Sequence, residues 1–269
     1  VKMGNTDLQA NGKIENFLQY VFKDDLIKGT FNVSGFLVDL NQLMGPESTE
    51  TAAATPSAAA TSTAVSGVVE VPGNIDFNLN AKFAKVLYTN LILDNLSGNI
   101  VVRDRKVDMT NLKMNTMGGS LGINGIYETT NPKKPTAKFN LDVENFDIQN
   151  TFNTFNSIKK LAPIGQYAKG MFSAHINDFK MALNDKMEPD LNTATCNGKL
   201  KTSKVSVGGY EPFNKLGDAL KIKELKNLEF SNMDISFEMA DGRVKTMPFD
   251  VKVNQINTNI SGSTGLDQT

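Results

Sequence analysis

The side chains that most often do chemistry are scarce in this chain of 269 residues. It has one cysteine, Cys196, and one histidine, His175. A lone cysteine excludes an internal disulfide framework and a zinc site built on cysteines, and its ordinary role is that of a small buried hydrophobe. His175 lies between Ala174 and Ile176, where alternation points it to the polar side of a strand. We therefore expect a solvent-facing histidine and no metal centre of the usual kind.

Two other groups of residues have types that can do chemistry, a glycine cluster and the carboxylates. The glycine cluster at residues 118–122 has the composition of a phosphate cradle, but such a loop precedes a helix, and here a strand pattern follows. A turn or bulge is the favoured interpretation. The carboxylates are scattered, and the adjacent pair Asp24-Asp25 ends a predicted helix. The sequence therefore predicts no catalytic residue, no metal ligand and no cofactor.

Charge and hydropathy further restrict the classes of function that fit the sequence. The formal net charge is −1 and the charges are interspersed, which disfavours a nucleic-acid partner. No run approaches the roughly 20 apolar residues of a membrane-spanning helix. The chain opens at Val1 with neither a methionine nor a signal peptide, so we expect a piece of a longer protein.

Alternating apolar residues dominate the pattern, and their longest stretch occurs twice. Residues 95–125 and 232–262 share it at a constant offset (232 − 95 = 137). Apolar residues at every second position predict strands with one apolar face. Asp104-Arg105 and Asp241-Gly242 predict hairpin turns. In each return strand the alternation slips by one residue, with Pro248 at the second slip, and such a slip predicts a β-bulge.

The rest of the chain completes a mainly β pattern. Helical spacing predicts three short helices, at about residues 16–27, 151–161 and 212–225. Residues 46–67 are almost wholly Ala, Thr, Ser and Pro, which predicts a disordered loop. We expect an N-terminal helix and strand in residues 1–45 that continue a larger β-unit, this loop, and a β-region in residues 68–269. The predicted fold is a long twisted antiparallel β-sheet or ribbon, curled into a groove or partial barrel.

The apolar side of such a sheet must be covered by helices, by another sheet or by a ligand. Three short helices are too few to cover eight or more long strands, so the sheet either closes over its own core or holds something apolar. The alternation leaves both open. The predicted lining of the apolar side is Leu112, Met114, Ile123, Phe139, Leu141, Val143, Ile235, Phe237, Phe249, Val251 and Val253.

Five phrases, in this order, resemble the C-terminal periplasmic region of AsmA-like proteins of the Bacteroidota type. They are NLSGNIVVRDRKVDMTNLKMNTMGGSLGINGIYET, FNLDVENFDI, LAPIGQYAKGMFSA, KMEPDLNTATCNGKLKTSKVSV and FEMADGRVKTMPFDVKVNQINTNISGSTGLD. The alanine-rich insertion after DLNQLM is similar to those of the same group.

The resemblance implies a non-enzymatic protein on the periplasmic face of the inner membrane of a Gram-negative bacterium, with its anchor outside this sequence. Its relatives include bridge-like lipid-transfer proteins, whose β-groove holds acyl chains. The implied role is phospholipid transport between the membranes and outer-membrane biogenesis, with phospholipid or another acyl lipid, both membranes and outer-membrane assembly proteins as partners.

Two alternatives stand beside this expectation. One is a structural β-protein that assists outer-membrane protein assembly and holds no lipid. The other is a hydrolytic enzyme on a β-scaffold, which is disfavoured because the chain has no tryptophan platform and no paired-acid motif.

Overall fold

Strands make up most of the computed structural model, which describes residues 2–23, 25–43, 68–155, 158–159, 162–184, 187, 189–253 and 256–266. The predicted disordered loop at residues 46–67 lies outside this part of the chain. Two short strands, β1 and β2, form a separate hairpin, and twelve form one sheet. In chain order the strands are β1 Lys2–Met3, β2 Thr6–Asp7, β3 Gln9–Glu15, β4 Ile27–Asp39, β5 Ile75–Tyr88, β6 Leu91–Arg103, β7 Lys106–Thr116, β8 Gly119–Glu128, β9 Thr136–Asp147, β10 Ala168–Leu183, β11 Pro189–Gly208, β12 Asn227–Ala240, β13 Arg243–Val253 and β14 Ile256–Gly265.

The large sheet follows the order of the sequence without a crossover, from β3 at one edge to β14 at the other. Each strand pairs antiparallel with the next, except that β4 and β5 are parallel. The mainly β prediction is therefore confirmed. The predicted curl is wrong, because the sheet is open and not strongly curled. Closure into a barrel needs a consistent tilt and shear around the ring, which alternation of side chains does not specify.

The described residues include these short helical segments between strands: α1 Phe17–Lys23, α2 Leu40–Leu43, α3 Ile148–Thr154, α4 Glu211–Leu220 and the 3₁₀ turns Pro163–Tyr167 and Lys223–Lys226. Helices α1, α3 and α4 overlap the three predicted ranges, and α3 begins three residues before the predicted start and ends at Thr154. Because β4, β9 and β11 run in the same direction, α2, α3 and α4 all lie at one end of the sheet. Asp147 begins α3 by accepting a 2.7 Å hydrogen bond from the Asn150 amide. None of the helices in the described ranges has the length and hydropathy to cross a membrane.

The repeat that the sequence predicts is present in the strand pairing. Adding 137 to both residues of each of the nine β7–β8 pairs gives the nine β13–β14 pairs, bulge included. The repeat also extends one strand further. Adding 119 to β5 and 137 to β6 reproduces eleven of the twelve β11–β12 pairs. The four-stranded unit β5–β8 is thus repeated as β11–β14, and the difference in offset (137 − 119 = 18) is the insertion that carries α4.

The predicted bulges are also present. The pairing shifts between Met109 and Leu112 in β7, and between Thr246 and Phe249 in β13 around Pro248. The bulge residue Asn111 has a φ of 51°, in the left-handed region that asparagine tolerates better than most residues. After each bulge the apolar residues lie on the same face as those before it, although strict alternation would place them on the opposite face. The strands therefore stay apolar on one side over lengths that strict alternation would not allow.

Candidate functional site

The eleven predicted lining residues all lie on one face of the sheet. Cross-strand partners point to the same side, so a face can be followed from strand to strand along the pairing. One such row runs Leu112, Ile123, Leu141, Ile176, Gly198, Phe237 across β7 to β12. The neighbouring rows place the other predicted residues on the same side. We call this side the apolar face.

The apolar face is neither a closed core nor fully exposed. Four of the predicted residues are buried: Leu112 (7% exposed), Met114 (4%), Val143 (8%) and Val251 (4%). The other seven are partly exposed. Among the described residues the helices lie at the ends of strands, and the other sheet, the β1–β2 hairpin, contacts β4 at residues 36–39. The side chains therefore shield one another within a single layer and leave apolar surface in contact with solvent.

Sequence reasoning named only part of this face. Three buried clusters lie along it, and their members outside the prediction are Val38, Ala81, Val86, Leu93, Leu96, Ala137, Met181, Ala194, Cys196, Met239, Ala168, Val205 and Val207. The same alternation in β5, β6 and β11 would have identified most of them. Methionine recurs in the clusters, and its unbranched side chain adapts to irregular contacts.

Aromatic side chains cover one end of the apolar face. Tyr167 in the first 3₁₀ turn and Tyr210 before α4 have ring centroids 5.4 Å apart, and Phe213 of α4 lies 5.1 Å from Tyr210. These rings pack against Ala168 and Val205 at the ends of β10 and β11. The face is thus capped beside the helices.

The dimensions of the face follow from strand geometry. Twelve strands have eleven intervals, which at about 4.8 Å each span about 53 Å across the sheet. A ten-residue strand is about 33 Å long, slightly more than the roughly 30 Å hydrocarbon thickness of a bilayer. The face is therefore large enough for several acyl chains side by side.

The opposite face is polar and carries cross-strand ion pairs. Arg103 lies 2.7 Å from Asp76, and Lys201 lies 3.4 Å from Asp234. Both arginine and lysine side chains are well exposed, so each pair adds little stability. His175 is on this face, as the alternation predicted, and its Nδ1 contacts the Asp142 carboxylate. An exposed pair on a flat face has no enclosed site in which to hold a substrate.

The glycine cluster forms a turn, as predicted. Gly118, with a φ of 82°, connects β7 to β8, and Ser120 lies within β8. Residues 118–122 spell G-x-S-x-G, but the nucleophile elbow that this motif marks requires a strand followed by a helix. Here one strand follows another. The arrangement does not activate Ser120.

Cys196 is buried on the apolar face, paired with Met239. Burial raises the pKa of its thiol to about 11, and a hydrogen bond from the Met239 backbone opposes this shift only in part. A nucleophilic cysteine needs a lowered pKa. The interpretation as a small buried hydrophobe is confirmed.

No group of three or more His, Cys, Asp or Glu side chains is placed to hold a metal ion in the described ranges. Comparison with protein-family models, with curated proteins and with solved structures finds no match to this chain. The apolar face is consequently the candidate functional site on physical grounds alone.

Proposed function

We propose that this chain is a non-enzymatic lipid-handling module that binds or conducts acyl chains along its apolar face. The observation that carries the proposal is the single-layer sheet. Its apolar side chains follow one face from β4 to β13 and remain partly exposed, with no covering layer in the described residues. Soluble proteins seldom leave a large continuous apolar surface uncovered unless it binds something.

An acyl chain suits this surface because it needs dry contact and no directional bonds. Covering apolar area stabilises the complex by about 25 cal/mol per Å². Head groups remain in water beyond the edge of the face, so no dedicated polar ligand is required. We propose that bound lipid lies against the open apolar face itself, since the sheet is not strongly curled.

The cellular setting of the proposal rests on the resemblance to AsmA-like proteins. On the strength of that resemblance we propose that the module works on the periplasmic side of the inner membrane of a Gram-negative bacterium, as part of a membrane-anchored protein. There it would support phospholipid traffic between the two membranes and outer-membrane biogenesis.

The test is native mass spectrometry with lipid extraction on protein expressed in the periplasm of a Gram-negative host. Co-purified phospholipid is expected with the wild type and should be lost in Phe249→Asp, which places a charge on the apolar face. Lys252→Asp puts the same group on the polar face of the same strand, and this control should retain lipid.

Stability must be measured beside lipid content. Phe249 is partly buried, so its replacement removes about 100 Å² of buried apolar area and costs about 2–3 kcal/mol. Val251 is 4% exposed, and an aspartate there is expected to unfold the chain. A folded wild type that neither carries nor takes up lipid would refute the proposal and favour a scaffold for outer-membrane protein assembly.

A further inference from the structure

The two edges of the large sheet differ in how they are protected. Strand β3 at one edge carries the ion pair Lys13–Glu15, and charges on an edge discourage further pairing. Strand β14 at the other edge has the sequence INTNISGSTG, with no charged residue and no proline over ten residues. It pairs with β13 on one side only. A long, uncharged edge strand is a template for another strand.

The internal repeat shows what covers the equivalent edge. Strand β8 corresponds to β14, and the far side of β8 pairs with β9 in nine residue pairs, from Ser120–Glu144 to Glu128–Thr136. The β9 strand presents Phe139, Leu141 and Val143 to the apolar face. In the second unit the corresponding place beside β14 is unoccupied by any described strand.

One glycine in each unit gives a second, independent argument. Gly125 of β8 is paired with Phe139, and a Cβ built on Gly125 would meet the Phe139 ring and the Lys138 carbonyl oxygen. Its equivalent in β14 is Gly262 (125 + 137 = 262), where a Cβ would meet nothing within 4 Å. The second unit therefore has a glycine at the equivalent position but, among the described residues, no aromatic ring packed against it.

Glycines facing a phenylalanine on the next strand recur elsewhere on this face. Gly198 is paired with Phe237, and its Cβ would come 2.7 Å from Cζ of that ring. Gly12 is paired with Phe31 in the same way. An aromatic ring laid over a cross-strand glycine restores the packing that the missing side chain gives up.

We propose that β14 is the docking site for an additional antiparallel β-strand of a partner polypeptide, with an aromatic residue opposite Gly262. The added strand resembles β9, with apolar side chains at alternate positions that extend the apolar face. By the register of the first unit, its leucine equivalent to Leu141 pairs with Ile260 and its valine with Thr258. This inference stands on the repeat and does not depend on lipid binding.

The probe is a synthetic peptide with the sequence of β9, TAKFNLDVENFD, added to the whole 269-residue chain. Binding is measured by fluorescence anisotropy, and its location by amide hydrogen exchange. The peptide is expected to slow exchange in β14 and to leave β3 unchanged. A scrambled peptide that breaks the alternation is the control.

Gly262→Val makes the test specific. The space around Gly262 is open and its φ lies outside the left-handed region, so the variant is expected to fold. Its side chain occupies the place of the incoming ring, and affinity for the peptide should fall about tenfold. A peptide with alanine in place of the phenylalanine equivalent to Phe139 should bind the wild type about threefold more weakly. Gly262→Val should not weaken the binding of this alanine peptide any further.

With the peptides, three results would overturn the inference: no protection of β14, equal protection by the scrambled peptide, and a Gly262→Val variant that binds both peptides like the wild type. A concentration-dependent dimer with β14 protected, seen by light scattering without peptide, would also overturn it, since the edge would then serve a second copy of this chain.

Discussion

Cys196 gives a direct measure of whether the apolar face is shielded as described. Its pKa of about 11 lies two pH units above the ordinary value of 9.0. Only the thiolate reacts with an alkylating agent, and near pH 8 a two-unit shift lowers the thiolate fraction about a hundredfold. The folded protein should therefore react with iodoacetamide about a hundred times more slowly than the protein unfolded in urea.

The pH dependence follows from the same shift. The alkylation rate of the folded protein should rise about tenfold per pH unit and level off near the raised pKa. In the unfolded protein the rise should end near the ordinary thiol pKa of 9.0. A folded-state rate within a few-fold of the unfolded rate would show that Cys196 is open to solvent and would refute the single-layer packing of the face.

Adding phospholipid extends the experiment to ligand binding. Lipid bound along the face should slow alkylation of Cys196 further. Thr195 is the adjacent residue and is exposed on the polar face. Thr195→Cys in a Cys196→Ala background is therefore the matched control, and its rate should be high and insensitive to lipid. Equal slowing at both positions would mean that lipid acts on the whole molecule, and it would contradict binding at the apolar face.

Three further outcomes are expected. Asn140 Oδ1 accepts a 2.8 Å hydrogen bond from the amide of the β10 bulge residue Asp178. Asn140→Ala should therefore lower the free energy of unfolding in urea by about 1–2 kcal/mol. A loss near zero would mean that water replaces the side chain. Gly125→Val should destabilise the fold by about 2 kcal/mol or more, while Gly262→Val should stay near wild type. Equal losses of stability in thermal melts would contradict the difference in packing around the two glycines. Because the pKa of Cys196 is raised in the folded protein, its protonated thiol stabilises the fold at pH values below the unfolded-state pKa. This contribution to the free energy of unfolding should be lost as pH rises from about 9 to about 11. The wild type should therefore lose more stability than Cys196→Ala over that pH range.

The sequence predicted well what depends on local spacing. The slips near Leu112 and Phe249 marked real bulges, and Leu112, Ile123, Leu141 and Phe237 lie in one cross-strand row. The turns at Asp104-Arg105 and Asp241-Gly242 are present, and the φ values of Asp104 (51°) and Asp241 (51°) are those of a hairpin turn with left-handed residues.

What the sequence could not give depends on contacts between distant segments. The parallel pairing of β4 with β5 joins strands separated by residues 40–74, and no local pattern announces it. Curvature of the sheet sums small twists over twelve strands, and side-chain alternation carries no information about that sum. The repeat of β5 in β11 was missed because the α4 insertion changes the offset by 18 residues (137 − 119), so a search at one fixed spacing loses it.

The pairing of each strand with its neighbours in sequence has a consequence for how the molecule comes apart. From β5 to β14 every ladder joins consecutive strands, so the sheet is close to a one-dimensional chain of hairpins. In such an arrangement stability is approximately a sum of nearest-neighbour terms, as in repeat proteins. Damage at one edge is therefore expected to stay there: the β13–β14 ribbon can detach while β5–β8 remains folded, and the molecule loses its strands in steps from its ends.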